Sequence, residues 1–260
     1  MPNCTNNVQV YNVPIMFNLE NISKTYAKAH TKAVSDLSLT INNGEIFGFL
    51  GPNGAGKTTT IKLLTGILTP DEGSITVDGF SLKDDPINAK KRISFVPDTP
   101  ETFSKLKASE YINFIADVYG VPTDERQKLI KEYAEMFDIS NVLKSPISSF
   151  SHGMKQKLFL TASLVTNPDN WILDEPMVGL DPESAFKLKE LMRSRAAAGK
   201  TVFFSTHVME VAEKLCDRIG IIKKGKMVFC GTQDELKAQH GGSNKTLEQI
   251  FLELTAESGE

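Results

Sequence analysis

EIFGFLGPNGAGKTTTIKLLTGIL, residues 45–68, is the stretch that decides the fold. Residues 45–50 form a short apolar run of the kind found in buried parallel strands. Residues 57–68 are expected to form a helix, and a glycine-rich turn separates the two. That turn, GPNGAGKT at 51–58, fits the pattern G-x-x-x-x-G-K-[ST] in the strand–loop–helix context that the pattern requires. The stretch therefore predicts a phosphate-binding loop in an α/β protein.

The residue types of this loop suit phosphate chemistry. Glycines let backbone N–H groups wrap around phosphates, and the N-terminus of the following helix adds the positive end of its dipole. We expect Lys57 to reach the β- and γ-phosphates and the Thr58 hydroxyl to ligate Mg²⁺. The predicted nucleotide-binding residues of the loop are Gly51, Pro52, Asn53, Gly54, Ala55, Gly56, Lys57, Thr58 and Thr59.

A second candidate cluster follows the apolar run in NWILDEP at 170–176. A strand that ends in two acids places Asp174 and Glu175 at the carboxyl edge of the sheet, where ligand sites of α/β proteins lie. Two solvated acids at a strand end are the simpler interpretation. Together with a phosphate loop, however, Asp174 is expected to hold the Mg²⁺ shell and Glu175 to polarise water for attack on the γ-phosphate.

The remaining patterns predict an α/β protein with a parallel-sheet core. Segments 14–26 and 33–41 alternate with a partial period of two, which indicates an N-terminal antiparallel β layer. Residues 105–140 carry apolar side chains near i, i+3 and i+4 and predict an inserted α-helical subdomain. A further strand is expected at 201–207 and a hairpin at 217–232.

SFSHGMKQKL at 149–158 combines small residues with a cationic, helix-forming run. Gly153 in a helix interior would cost about 1 kcal/mol relative to alanine, so we expect it at a helix start. Ser151 is then the expected N-cap. Free amide groups at a helix start can bind an anion, so the segment is a candidate phosphate contact far along the chain from the phosphate loop.

The composition excludes some functions. The chain has 260 residues and a net charge of −3, so general electrostatic binding of nucleic acid is not indicated. We also find no apolar run near the roughly 18 residues that a membrane span needs, and we therefore do not expect the chain to cross a membrane by itself.

In order along the chain, GPNGAGKTT, SFSHGMKQKL, WILDEP, GLDP (179–182) and STH (205–207) resemble the nucleotide-binding ATPase subunit of ATP-binding cassette (ABC) transporters. The resemblance covers about residues 15–240, and the Ser-x-Gly-Met-Lys form is similar to that of the exporter-type branch. It implies ATP and Mg²⁺ as ligands. The phosphate loop alone would mark a much wider group of ATPases and GTPases.

The resemblance also implies roles for residues outside the phosphate loop. Ser151 and Gly153 would bind the γ-phosphate of an ATP held by the other subunit of a dimer. Tyr26 would stack on adenine, although an aromatic at a strand end is usually core or rim. His207 would contact the γ-phosphate, although a lone histidine is more often a hydrogen-bonded structural residue. Asp181 would couple the two sites across the dimer.

Three departures from the family pattern stand in this sequence. His152 and Met154 replace the usual Gly and Gln of the family's signature segment, here SFSHGMKQKL at 149–158, which leaves those two contacts open. Asp98 stands where Gln is usual; its carboxylate could ligate Mg²⁺ but would repel the γ-phosphate. Met177 and Val178 replace small polar residues, and we have no functional account of that change.

The family resemblance implies two protein partners. One is a second ATPase subunit, in a homo- or heterodimer, and the other is a separate multi-span membrane protein. The chain is expected to be cytoplasmic and peripheral on the inner face of the membrane. The segment 99–150, with Asp98 at its hinge, is the expected docking surface for the membrane protein. No nucleic-acid partner is expected.

Two other functions stay open. A soluble ABC-type ATPase could act on nucleic acid or ribosomes, but such proteins usually carry two cassettes or a long coiled coil. An ATP-binding regulator without turnover is the other, and the presence of Lys57, Asp174, Glu175 and His207 argues against it. The predicted parts of the chain are a polar N-terminal extension at 1–13, an ATP-binding core at 14–98, a helical subdomain with the signature segment at 99–167, the second part of the core at 168–240, and a C-terminal tail helix at 241–260.

Overall fold

The computed structural model of the chain describes residues 15–27, 30–98, 103–240 and 245–256. The predicted N-terminal extension at 1–13 lies outside these residues, as do the first four residues of the predicted helical subdomain and both ends of the tail segment. Within them, strands and helices alternate along most of the chain. The strands are β1 Ile15–Lys24, β2 Val34–Asn42, β3 Ile46–Leu50, β4 Glu72–Val77, β5 Phe80–Ser81, β6 Ile93–Val96, β7 Asn170–Asp174, β8 Thr201–Thr206, β9 Arg218–Lys223 and β10 Lys226–Gly231.

The helices lie between these strands and after them. They are α1 Lys57–Leu64, α2 Pro86–Lys91, α3 Ala108–Val118, α4 Thr123–Met136, α5 His152–Val165, α6 Pro182–Ala197, α7 Met209–Leu215, α8 Gln233–Gln239 and α9 Leu247–Thr255. In the part of the chain that the structure describes, we found none that combines the length and the apolar character needed to span a bilayer.

Two sheets organise the molecule. A four-stranded antiparallel sheet has the order β2-β1-β4-β5, and a six-stranded sheet has the order β10-β9-β3-β8-β7-β6. In the larger sheet β9, β3, β8, β7 and β6 run parallel, and β10 pairs antiparallel with β9. The predicted α/β class, the parallel core and the N-terminal antiparallel layer are therefore confirmed.

The central strands are buried on both faces because helices or the second sheet cover them. Every residue of β3, β7 and β8 is buried, as expected for parallel strands between two layers. On one face, Phe47 and Phe203 pack with Ile61 of α1 and with the antiparallel sheet. The other face packs against α3, α4, α5 and α6 around Trp171. The predicted site residues that follow β3, β7 and β8 are therefore attached to a rigid core.

The helical subdomain is attached to the sheet through α5. Helices α3 and α4 pack on α5, and α5 packs on β6. The Tyr119 hydroxyl at the end of α3 donates to the carbonyl of Ile93 on β6, 2.7 Å away. Trp171 on β7 donates its Nε1–H to the Ser163 hydroxyl of α5 over 3.0 Å. The inserted helices are therefore tied to the edge of the core sheet.

The structure differs from the sequence predictions at several element boundaries. The first helix ends at Leu64 rather than at residue 68, because Gly66 turns the chain at φ +66° and the amides of Ile67 and Leu68 bond back to Lys62. Helices α2, α7 and α8 were not predicted. Each has only six or seven residues, too few for a helical periodicity to stand out.

Candidate nucleotide-binding and catalytic site

The phosphate loop is held in a tight turn that its glycines permit. Gly56 caps α1 with φ +111°, and a Cβ there would lie 2.5 Å from the carbonyl oxygen of Ala33. A Cβ on Gly51 would lie 2.6 Å from the Ile222 carbonyl, whereas the space beside Gly54 is open. Close backbone packing thus shapes two positions, and Gly54 leaves room for a ligand.

The β9–β10 hairpin contacts this loop and supports it. The amide of Gly225 donates to the carbonyl of Ala55 over 2.8 Å, and the amide of Ser35 donates to the carbonyl of Gly225 over 2.8 Å. The turn at Lys224-Gly225 has the positive φ angles that a two-residue hairpin turn requires. Residues far apart in sequence therefore fix the loop, a support that the sequence patterns did not reveal.

Lys57 lies between the loop and the strand-end acids. Its Nζ donates to the carbonyl of Gly51 over 2.6 Å and lies 3.7 Å from Oε1 of Glu175. The side chain is only 8% exposed, so its charge is held at the base of the site. A phosphate group placed here would replace these oxygens as the partner of the ammonium group.

The Asp174 carboxylate is buried at the end of β7, only 2% exposed. It accepts a hydrogen bond from the Ser205 hydroxyl over 2.6 Å. Burial raises the pKa of the Asp174 carboxyl; the hydroxyls of Ser205 and Thr58 oppose that rise, and the negative charges of Asp98 and Glu175 add to it. The predicted metal residues Thr58, Asp174 and Asp98 therefore lie together.

Glu175 follows β7 with φ +48°, and its side chain is 14% exposed. Its Oε2 lies 3.0 Å from Nδ1 of His207, and its Oε1 faces Lys57. The positive φ follows the end of the strand at Asp174, two residues before the end of the predicted stretch NWILDEP at 170–176, and turns the carboxylate toward the phosphate loop. Glu175 therefore stands between a cation and an imidazole at the edge of the sheet.

A cavity of about 240 Å³ connects these groups. Tyr26 stands beside it, 43% exposed, with its hydroxyl 3.2 Å from Oγ1 of Thr59. Most of the predicted phosphate-loop and carboxylate residues line the cavity together. The lining residues are Ala33, Pro52, Asn53, Gly54, Gly56, Lys57, Thr58, Thr59, Asp98, Asp174 and Glu175.

The signature segment does not line this cavity. Ser151 is the N-cap of α5, and its hydroxyl accepts from the amide of Met154 over 3.3 Å. A Cβ on Gly153 would fall on the carbonyl oxygen of Gly179. The glycine is therefore required by packing within the chain itself, a reason that phosphate contact alone did not suggest.

Helix α5 is joined to the loop after Glu175 by two further contacts. Gln156 is buried and donates Nε2–H to the carbonyl of Pro176 over 3.4 Å, while Lys157 lies 2.7 Å from Asp181. Asp181 also caps α6 by accepting from the amide and hydroxyl of Ser184. Lys157 and Ser184 hold the pKa of the Asp181 carboxyl well below its usual range.

Sequence reasoning missed Ser205, Gln156 and Lys157. Ser205 accepts from the amide of Glu175, Gln156 donates to the carbonyl of the next residue, and Lys157 pairs with the predicted residue Asp181. Ser205 lies within STH at 205–207, and the other two lie in the cationic run after Gly153. The one available signal was position, since each stands within a few residues of a predicted site residue along its own element.

A phosphate loop between β3 and α1, with two acids ending a neighbouring parallel strand, defines a nucleotide-binding protein of the phosphate-loop class. Residues 34–178, more than half of the chain, match the ABC transporter family. The linearmycin resistance ATP-binding protein LnrL of Bacillus subtilis is 39% identical over 87% of this chain and 72% of its own length. The Nod factor export ATP-binding protein I of Burkholderia lata is 37% identical over 78% of this chain and 67% of its own.

Solved structures show the same fold. The ATP-binding subunit of an ABC transporter is 31% identical with a TM-score of 0.88, over 93% of this chain and all of that one. A dimeric ATP-binding cassette bound to ADP and Pi in a post-hydrolysis state is 26% identical with a TM-score of 0.73, over 84% and 98%. The chain therefore belongs to the ABC transporter family, as an ATP-binding subunit with ATPase activity coupled to transport.

Proposed function

We propose that this chain powers an exporter by binding ATP between two ATPase subunits and hydrolysing it. The arrangement of Glu175 between Lys57 and His207, above the buried Asp174, is the observation that carries this proposal. The direction of transport is supported by two relatives, one named for linearmycin resistance and one for Nod factor export. A soluble ATPase that acts on nucleic acid gains no specific support from the geometry described above.

In this proposal the phosphate loop holds the triphosphate. Residues 51–59 other than Pro52 supply backbone N–H groups, and Lys57 exchanges the Gly51 carbonyl and Glu175 for phosphate oxygens. Tyr26 stacks on adenine, which its place beside the loop and its partial exposure allow. The open space at Gly54 and the cavity of about 240 Å³ support a ligand of this kind.

The oxygen donors near the loop suit Mg²⁺. Thr58, Asp174 and Asp98 present a hydroxyl and two carboxylates at one side of the cavity. Within the described ranges no group of three or more His, Cys, Asp or Glu could hold a metal on its own. Mg²⁺ usually binds one or two carboxylates together with substrate phosphates, so this set fits it. Bound Mg²⁺ would neutralise charge that develops on the phosphates.

Glu175 is the proposed group that polarises the attacking water. Its side chain is 14% exposed and lines the cavity, where the carboxylate can accept a proton from water beside the γ-phosphate. His207 contacts the same carboxylate and is 56% exposed, so it can hold Glu175 in place and also reach the γ-phosphate. Lys57 stabilises the negative charge of the phosphate during transfer.

The second half of the site is proposed to come from a partner subunit. Ser151 and Gly153 lie at the start of α5 and not in the cavity of their own chain. Their place at a helix N-terminus suits contact with the phosphate of a neighbour's ATP, with Asp181 at the junction. The dimeric state of the related cassette bound to ADP and Pi supports such an assembly.

Glu175→Gln tests the composite site. The variant should bind ATP but hydrolyse it at least about a hundredfold more slowly, as expected when a general base is lost. It should therefore accumulate an ATP-bound dimer that light scattering detects, and Ser151→Arg added to it should abolish that dimer. Glu190→Gln, which changes an exposed acid on α6, is the matched control and should behave as wild type. A Glu175→Gln protein that stays monomeric at saturating ATP contradicts the homodimer.

The membrane partner is proposed to dock on the segment 99–150 of the helical subdomain. Phe114 and Val118 on α3 are 45% and 61% exposed, so this face carries apolar side chains in contact with solvent. Binding there would place the chain on the inner face of the membrane as a peripheral subunit. Affinity purification from detergent-solubilised membranes of the host should recover a multi-span protein in equal amount. Recovery of ribosomes or nucleic acid instead would favour the soluble ATPase.

A further inference from the structure

Ser205 is fully buried on β8, next to the strand that carries the two acids. In the parallel register of β7 and β8 it stands directly opposite Asp174. Its hydroxyl donates to Oδ1 of Asp174 over 2.6 Å, and it accepts from the backbone amide of Glu175 over 3.0 Å. One side chain thus contacts both members of the carboxylate pair.

The directions of these two bonds are fixed by their chemistry. The amide of Glu175 can only donate, so the Ser205 oxygen must accept from it. The single hydroxyl proton is then available for the carboxylate of Asp174. A hydroxyl has one donor and two acceptor positions, so both bonds form at once without competition.

The bond to Glu175 acts on an unusual backbone conformation. Glu175 has φ +48°, a left-handed conformation that costs a non-glycine residue free energy because its Cβ approaches the carbonyl. That conformation points the Glu175 carboxylate toward Lys57 and His207. The Ser205 oxygen, fixed within a fully buried strand, holds the amide at this turn.

We propose that Ser205 is a positioning residue of the ATPase reaction, which fixes the Asp174 carboxylate and the Glu175 backbone relative to each other. This role rests on the function proposed above. Ser205 does not touch substrate; it sets the separation between the residue that ligates Mg²⁺ and the residue that polarises water. Alanine removes both bonds, whereas threonine keeps the hydroxyl and cysteine offers only a weak donor of similar size.

The test measures kcat, the half-saturating Mg²⁺ concentration and metal-free ATP binding for Ser205→Ala, Ser205→Cys and Ser205→Thr. We expect Ser205→Ala to lower kcat about tenfold or more and to raise the Mg²⁺ requirement, because hydrogen bonds to a charged group and to a strained amide are both lost. The Kd for ATP without metal should change less than about twofold in the same variant. Ser205→Thr should recover most of kcat, with Ser205→Cys between the two.

Ser94→Ala is the matched control, since it removes a buried hydroxyl from β6 that donates to the Ser163 carbonyl over 3.3 Å. Rates are expressed per ATP-binding-competent molecule, so that a loss of folded protein does not count as a loss of catalysis. A Ser205→Ala protein with kcat and Mg²⁺ dependence within about twofold of wild type overturns the proposal. So does an equal loss in Ser94→Ala. Glu175→Gln is assayed alongside, because full activity in that variant would refute the proposed function rather than the role of Ser205.

Discussion

Gly153 shows how one residue can be determined by packing on its own chain. Its missing side chain leaves room for the carbonyl of Gly179, so helix α5 and the loop after Glu175 meet backbone to backbone. Gly179 itself has φ +79°, and a Cβ there would lie 2.5 Å from Cδ2 of the His152 ring. The two glycines therefore define the distance between the signature helix and the catalytic strand end.

Gly153→Ala should destabilise the protein although alanine favours helices. The added methyl group cannot be accommodated beside a backbone carbonyl, and overpacking of this kind typically costs ~1–3 kcal/mol of unfolding free energy. Urea denaturation followed by circular dichroism measures the change. Lys155→Ala, on the same helix turn but partly exposed, is the control and should stay within ~0.5 kcal/mol of wild type. Equal stability of the two variants would contradict the packing role.

The residues of the candidate site that act through a motif could be predicted from sequence. The spacing of the glycines, Lys57 and Thr58 is enough to predict a phosphate-binding loop. Acids that follow an apolar strand are expected at the edge of the sheet. Ser205 could not be predicted in this way, because a serine in a strand has no chemical signature until the register sets it opposite Asp174. The reason for Gly153 was likewise hidden, since it depends on a loop 26 residues away.

At the scale of elements, Asp181 joins two helices. It caps α6 through Ser184 and pairs with Lys157 of α5, so it carries both a local and a tertiary contact. An asparagine can cap a helix as well as an aspartate, but it cannot form the ion pair. Substitutions at this one position can therefore separate the two contacts.

Asp181→Asn should reduce stability less than Asp181→Ala, since only alanine loses the cap. The pKa of Asp181 is lowered in the folded state, so its charge contributes stability above its ordinary pKa, and that contribution is lost as pH falls through the lower folded value. The stability difference between wild type and Asp181→Asn should thus be largest near neutral pH and shrink in acid. Thermal melts between pH 7 and about pH 3 measure it. A difference that grows in acid would contradict the ion pair.

Sequence patterns predicted the long, periodic elements but did not predict the short helices. Helices α3 and α4 and the strand pair β1–β2 extend over enough residues for their period to be visible. Helices α2, α7 and α8 are held by their surroundings: Gln233, for example, donates to the carbonyls of Ala212 and Glu213 at the end of α7. Such contacts depend on the folded chain and leave no periodic trace.

At the scale of the whole molecule, the helical subdomain and the core sheet share one hydrophobic cluster. Phe137, at the end of α4, and Trp171, on β7, are both fully buried within it. The guanidinium of Arg195 from α6 lies over the Trp171 ring, 5.6 Å from its centre. Packing across the boundary implies that the two parts unfold together.

Phe137→Ala should therefore move the unfolding transition of the core as well as that of the helices. Removal of a buried phenylalanine costs ~3–5 kcal/mol, and Trp171 fluorescence should report the loss although the substitution is in another subdomain. Phe186 on α6 is 63% exposed, so Phe186→Ala is the control and should change stability by less than ~0.5 kcal/mol. Trp171 fluorescence that keeps its wild-type transition in Phe137→Ala would show that the subdomain unfolds separately.

The contact between Gly153 and Gly179 also limits which substitutions this chain can accept during evolution. Neither partner can be made smaller, because each side of the contact is already without a side chain. A search for second-site suppressors of Gly153→Ala should therefore recover no compensating substitution at position 179. Reversion, or changes that shift the whole of α5 away from the loop, would be the only routes back, so the two glycines behave as a single inherited unit.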